Sequence, residues 1–155
     1  MKRYLIVGSG LIGRLLAWRL CRAGHQADIL SSDDLQGTAS AGYIAAAMVA
    51  PSTEAVTSEA MVQTIGNKSL TLWPQWLSEL PEPVYYQNNG TLVVAHAGDK
   101  SEMARFKRRA EHVLSADDYS ELDKADLAKR EPQLAEQFDQ AMLFEQEACL
   151  DNRHL

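Results

Sequence analysis

Tyr4-Leu5-Ile6-Val7 is a nearly continuous apolar run of strand formers, the pattern of a parallel strand covered on both faces. From Leu11 the period changes, with Ile12, Leu16 and Leu20 four apart, Leu15 beside them, and Arg14 and Arg22 pointing elsewhere. That spacing predicts an amphipathic helix, which Gly24 stops. Ala27 to Leu30 reads as a second strand, so the opening thirty residues spell a βαβ unit with parallel strands. Ser31 to Pro51 is dominated by small residues.

Ala55 to Leu80 is helical in pattern, with Leu72, Trp76 and Leu80 four apart, and Pro74 is expected to kink or divide it because proline cannot donate the helical hydrogen bond. Tyr85-Tyr86-Gln87 and Thr91-Leu92-Val93-Val94 flank Asn88-Asn89-Gly90, which predicts an antiparallel hairpin. Asp99 and Glu102 have capping-box spacing ahead of Met103, Phe106, Ala110 and Val113, a second amphipathic helix. Asp123 is expected to cap a short helix that stops before Pro132. Ala141 to Phe144 reads as a strand, and Asp151 as the N-cap of a helix that has barely begun at Leu155.

The order is βαβ, then helix, paired strands, helix and strand: an α/β Rossmann-like unit with part of an α+β domain following it. A doubly wound sheet flanks its switch point with a third parallel strand, and none is visible before Leu155, so the Rossmann unit reads as incomplete.

With 155 residues, 46% of them apolar and 23% charged, the chain is long enough for one core and has the composition of a globular protein. The net charge of −6 and the scattered basic residues argue against nucleic acid as a partner. Arg105, Lys107, Arg108 and Arg109 fall on the second amphipathic helix and read as a solvated face. Cys21 and Cys149 belong to no CxxC pair, so neither a disulfide framework nor a zinc site is suggested, and a reducing, cytoplasmic setting is expected. Gly8, Gly10 and Arg14 interrupt the first apolar run, which rules out a signal-peptide core or spanning helix there; the mature protein is expected to start at Met1. His25, His96, His112 and His154 have no spacing suited to a metal or a triad.

Gly8-Ser9-Gly10-Leu11-Ile12-Gly13 matches GxGxxG directly after a strand and at the start of a helix. There Gly8 permits the tight turn, Gly10 lets backbone approach a pyrophosphate, and Gly13 allows close helix–strand packing, while the helix N-terminus offers N–H groups to the anion. The acidic residue that usually ends the second strand and bonds the ribose is replaced by Ser31. Ser31 or Ser32 is able to take that role; Asp33 and Asp34 either reach the ribose or form a solvated turn. No arginine is adjacent to Ser31 in sequence, which disfavours the 2′-phosphate of NADP.

The chain resembles the D-amino-acid oxidase superfamily, most closely its glycine-oxidase-like branch. The resemblance rests on Tyr4 to Gly13, on Ala45-Ala46-Ala47-Met48-Val49-Ala50-Pro51 with Glu54, on Asn89 to Ala95, and on Arg130-Glu131-Pro132-Gln133-Leu134. It implies FAD as cofactor, with Ala45, Ala46, Ala47 and Met48 running along the flavin where bulky side chains would hold the backbone away. Such oxidases often carry a serine just before this stretch and a glycine before the methionine; here Tyr43 and Ala47 stand there, with Ser40 displaced.

The resemblance further implies oxidative deamination of a small amino acid or amine, with hydride passing to the flavin and oxygen as acceptor. On this reading residues 1–80 are an FAD-binding segment, 81–145 part of a substrate domain, and 146–155 the start of a return to the FAD domain. No catalytic residue is named, since the family's carboxylate-binding arginine lies beyond these residues. Isolated residues 1–155 are therefore expected to show no oxidase turnover. A C-terminal partner chain or a homo-oligomer is compatible with this reading. The alternatives are an NAD-dependent dehydrogenase, which leaves the alanine-rich stretch without a reason, and a non-catalytic truncated or split-oxidase fragment.

Overall fold

The computed structural model describes residues 1–155, which fall into two compact units, Met1–Ala47 with Asn152–Leu155, and Met48–Asp151. The division lies after Ala47 and before Asn152, whereas the sequence reading divides the chain at residues 80 and 145. No helix is long and apolar enough to cross a membrane.

In the first unit, β1 (Arg3–Val7) and β2 (Gln26–Leu30) are parallel, in register from Arg3 opposite Gln26 to Val7 opposite Leu30, and α1 (Leu11–Arg22) connects them. Gly24 sits at φ 79°, the left-handed conformation that closes the end of α1, and its N–H donates to Cys21 O. The βαβ expectation is met in every element, but the burial is not. Leu5 is 67% and Val7 79% exposed, because two strands and one helix cannot cover both faces of a sheet. Ile12 is likewise 84% exposed, and the buried residue of α1 is Ala17.

The second unit contains β3 (Met48–Val49), α3 (Pro51–Ala55), α4 (Ala60–Leu77), β4 (Tyr86–Gln87), β5 (Thr91–Val94), α5 (Lys100–Val113), β6 (Ser120–Asp123), α6 (Lys124–Arg130), α7 (Pro132–Ala135), β7 (Gln140–Phe144) and β8 (Ala148–Leu150). Its strands form two antiparallel sheets, ordered β3-β8-β4 and β5-β7-β6. β7 is the centre of the core. Ala141 and Leu143 pack with Leu122, Leu127 and Phe138, whereas Met142 and Phe144 pack with Val56, Met103 and Ala110, so alternate side chains enter opposite clusters.

Several local expectations are overturned here. The predicted hairpin does not form: β4 pairs with β8, and β5 with β7. Gly90, at φ 87°, instead carries the chain from one sheet to the other, and its N–H donates to Glu147 O. A Cβ at Gly90 would lie 2.8 Å from Phe144 O, so the strong turn signal serves a close backbone crossing. The buried β7 is the better partner for the apolar Thr91–Val94 segment.

The break near Pro74 is also displaced. α4 runs through Pro74 to Leu77, while the chain divides at Val56–Glu59, where the amides of Thr57 and Ser58 both donate to Glu54 O and close α3. Trp73 and Leu77 are the buried residues of α4.

Asp99 occupies the N-cap of α5 without a side-chain bond, because the 3-10 turn Ala97–Asp99 leaves its backbone outside the extended conformation a cap uses; Glu102 pairs with Arg105. Asp123 does cap α6, accepting from Asp126 N at 2.8 Å, and Pro132 opens α7. Asp151 starts no helix; its N–H donates to Tyr85 O and continues the pairing of β8 with β4.

Candidate functional site

The glycine turn joins β1 to α1. Gly8 has φ 103°, which an L side chain rarely adopts, and its N–H donates to Leu30 O at 2.8 Å, tying the turn to the end of β2. Gly10 is the N-cap of α1 and offers no side-chain acceptor, so the first-turn N–H groups, including those of Leu11 and Ile12, carry no cap. A Cβ at Gly10 would meet nothing within 4 Å, whereas one at Gly13 would fall 2.0 Å from Gly8 O. Gly10 thus keeps backbone open to an incoming group, and Gly13 lets the helix close on the turn. With no acid in its first turn, the start of α1 leaves the positive end of its helix dipole unopposed.

Ser9 is buried, and its hydroxyl donates to the Ser31 hydroxyl at 2.7 Å, so the turn and the end of β2 meet through two serines. Ser32 is exposed beside them. Asp33 and Asp34 hydrogen-bond within the loop that follows β2. Asp33 Oδ1 accepts from the amides of Asp34 and Ala39, and Asp34 accepts from Thr38 N and Thr38 Oγ1, at 3.1 and 2.6 Å. Those bonds, the Thr38 hydroxyl first, hold the Asp34 carboxyl below its ordinary value.

Arg14, which the helical period places off the apolar face of α1, donates from Nε to Ser9 O at 2.6 Å and from its terminal nitrogens to the Leu35 and Asp34 carbonyls. An arginine therefore does reach the loop after Ser31, contrary to its sequence neighbourhood, but its guanidinium is committed to three backbone oxygens. No sequence signal marks this role, since it depends on residues 34–37 folding back on α1. Gly37 suits this place because its φ of 73° is one that L side chains rarely adopt, and a Cβ there would also crowd the Arg14 guanidinium at 2.7 Å.

The small-residue stretch opens with α2 (Ala41–Ile44), whose N-cap Ser40 accepts from Tyr43 N at 3.3 Å. A Cβ on Gly42 would lie 3.3 Å from Leu11 Cβ, which brings the stretch against the start of α1. Ala45 is extended and exposed, Ala46 is exposed, and Ala47 sits at φ 56°, the one non-glycine residue in the left-handed region. The glycine that the resemblance leads one to expect at this position has a conformational reason. Asn152 Nδ2 donates to Gly42 O and, at 2.9 Å, to Ala45 O. Gly8 to Gly13, Ser31, Ser32, Ser40 and Ala45 to Ala47 thus belong to one compact unit; Met48 belongs to the other, paired with Cys149 in its sheet.

Residues 3–155 match the family model described as FAD dependent oxidoreductase. A Rhizobium etli protein named as a thiamine biosynthesis oxidoreductase, ThiO, is 34% identical over 151 residues, covering 97% of this chain and 42% of that protein. The bifunctional protein ThiO/ThiG of Trichormus variabilis is 29% identical over 155 residues, covering 97% of this chain and 22% of that protein. Glycine oxidase from Geobacillus kaustophilus superposes with a TM-score of 0.78 at 23% identity, covering 99% of this chain and 42% of that one. The FAD-bound L-α-glycerophosphate oxidase from Mycoplasma pneumoniae gives 0.70 at 18%, covering 98% and 40%. This chain therefore spans about two fifths of the length of the ThiO protein and of both oxidase structures.

Proposed function

The chain belongs to the FAD dependent oxidoreductase family, and on that premise we propose that it forms the dinucleotide-binding portion of an amino-acid or amine oxidase resembling glycine oxidase. The observation that carries this reading is the uncapped start of α1 behind the open Gly10, set against a small-residue stretch at Gly42. The space a Cβ would occupy at Gly10 suits a pyrophosphate, so the residues present fit FAD.

In this proposal the backbone N–H groups of Gly8 to Gly13 hold the pyrophosphate, and Ser31 or Ser32 offers a hydroxyl to the ribose. Arg14 fixes the carbonyl side of the turn so that its N–H groups face the ligand. Ser40 starts α2 and Ala45 to Ala47 keep backbone close to the flavin. FAD, when bound, supplies the acceptor for hydride from a small amino acid or amine, and the protein's share is binding and orientation. The substrate class, oxygen as final acceptor, a cytoplasmic setting, and assembly with further chain or a second copy belong to the same proposal. The bifunctional Trichormus relative supports an association with a second activity. The family is one of FAD enzymes, and the nicotinamide reading gains no support from it.

Titrating the purified protein with FAD and with NAD tests this, with flavin fluorescence and visible absorption as readouts. FAD uptake is expected; Gly10→Val should abolish it with the circular dichroism spectrum unchanged, because a branched side chain fills the pyrophosphate space. Tight NAD binding without flavin uptake would overturn the proposal.

A further inference from the structure

We propose that Asn152 is a positioning residue for the cofactor-facing backbone of Ala45 to Ala47, an inference that rests on the FAD-binding reading above. α2 is a single turn, and the last carbonyls of a helix have no intrahelical donor. Asn152 meets this need from 107 residues beyond Ala45, its one side-chain nitrogen donating to both Gly42 O and Ala45 O. An amide group has two N–H donors on that atom, so both are engaged and the direction of each carbonyl is fixed.

The segment needs such a hold. Ala45 leaves α2 in an extended conformation (φ −61°, ψ 157°), and Ala47 then turns to φ 56°. An L-residue keeps a left-handed backbone only where its surroundings over-determine it. Two carbonyls pinned at the entrance to this turn supply part of that constraint. Arg153, whose guanidinium lies 5.7 Å from the Tyr43 ring centroid, packs beside the clamp. The consequence for function is that Asn152 orders the small-residue backbone before FAD arrives, and the cofactor is spared that cost on binding.

The discriminating experiment compares FAD affinity, the visible circular dichroism of bound flavin and the melting of the FAD-free protein across variants of the 155-residue chain. Asn152→Asp keeps shape but sets a carboxylate oxygen against two carbonyls; it should weaken FAD binding about tenfold and alter the flavin signal. Asn152→Ala should weaken it severalfold, and Ala47→Gly in that background should recover much of the loss by removing the strained residue. Arg153→Ala should bind FAD within twofold of the parent. FAD affinities within twofold of the parent for both Asn152 variants would overturn the proposal while leaving the functional reading intact. An equal loss in Arg153→Ala would also overturn it, by assigning the effect to general docking of the last residues. A parent that takes up no FAD overturns the functional reading and this proposal together.

Discussion

The two compact units are held together by different means. Met48–Asp151 closes around its own apolar side chains, with Phe144 and Leu127 fully buried and every side chain from Ala141 to Phe144 inside. The unit built on Met1–Ala47 leaves the apolar residues of its sheet at the surface and takes its shape from hydrogen bonds to backbone, made by Arg14, Asp33, Asp34 and Asn152. Exchanging buried apolar area for backbone fixed by side chains suits a region that has to present N–H groups and bare Cα atoms to a ligand. Substitutions in the two units should therefore fail in different ways.

The largest effect should come from Phe144→Ala. Phe144 is fully buried among Met142, Met103 and Ala110 and packs edge-on to Phe106. Its loss is expected to cost about 3–5 kcal/mol. Denaturant melts followed by hydrogen exchange should show protection falling in β5, β6 and β7 while β1 and β2 keep theirs. Equal loss in both regions would erase the contrast.

Gly13→Ala comes next, and it probes the other region. Alanine is favoured over glycine in a helix by about 1 kcal/mol. The new Cβ, however, would be 2.0 Å from Gly8 O, and overpacking against backbone costs about 1–3 kcal/mol or more, so the clash wins. Protection should fall in β1, α1 and β2, with the core around β7 unchanged.

A smaller effect is expected at the single buried carboxylate. Glu147 is 0% exposed and accepts from Thr53 N and Thr53 Oγ1, both at 2.7 Å, which pins the start of α3. Thr53→Val removes the hydroxyl and leaves a buried oxygen without its donor, costing about 1–3 kcal/mol. Thr53→Ser should restore most of the stability, a comparison that equilibrium urea melts can make.

The smallest effect is a pH dependence at Asp34 in the first unit. Asp34 is held below its ordinary value by Thr38, so its contribution is present above the unfolded carboxylate pKa and is lost as pH falls through the lowered folded value. Carboxyl-carbon NMR should show Asp34 titrating below the usual aspartate range, and Thr38→Val should return it upward. An unchanged midpoint in Thr38→Val would remove the hydroxyl as the cause.

These contrasts also explain what was legible in the sequence. β1, the glycine turn, α1 and β2 are contiguous, their periods differ, and each glycine has a local reason, so pattern alone finds them. Asp123 was legible for the same reason, since a cap acts within three residues. The partners of β4 and β5 were not, because their choice depends on β7 and β8 far along the chain, and a turn signal reports only that the chain bends. β6 and β8 carry no strand pattern of their own because each is short and is made a strand by its neighbours. Within the candidate site, the conformations of Gly8 and Gly13 follow from a local motif. The roles of Arg14 and Asn152 do not, since they depend on which carbonyls tertiary folding brings to them.

The crossing at Gly90 has a consequence for how the polypeptide is made. A hairpin could zip as soon as its second strand left the ribosome, but Tyr86–Gln87 and Thr91–Val94 wait for partners that are translated much later, at Ala148–Leu150 and Gln140–Phe144. Until then an apolar segment remains without its sheet, in the state that invites association with other chains. Closing such long loops before any contact rewards them slows folding, so the β5-β7-β6 sheet has to wait for residue 144 and the β3-β8-β4 sheet for residue 150.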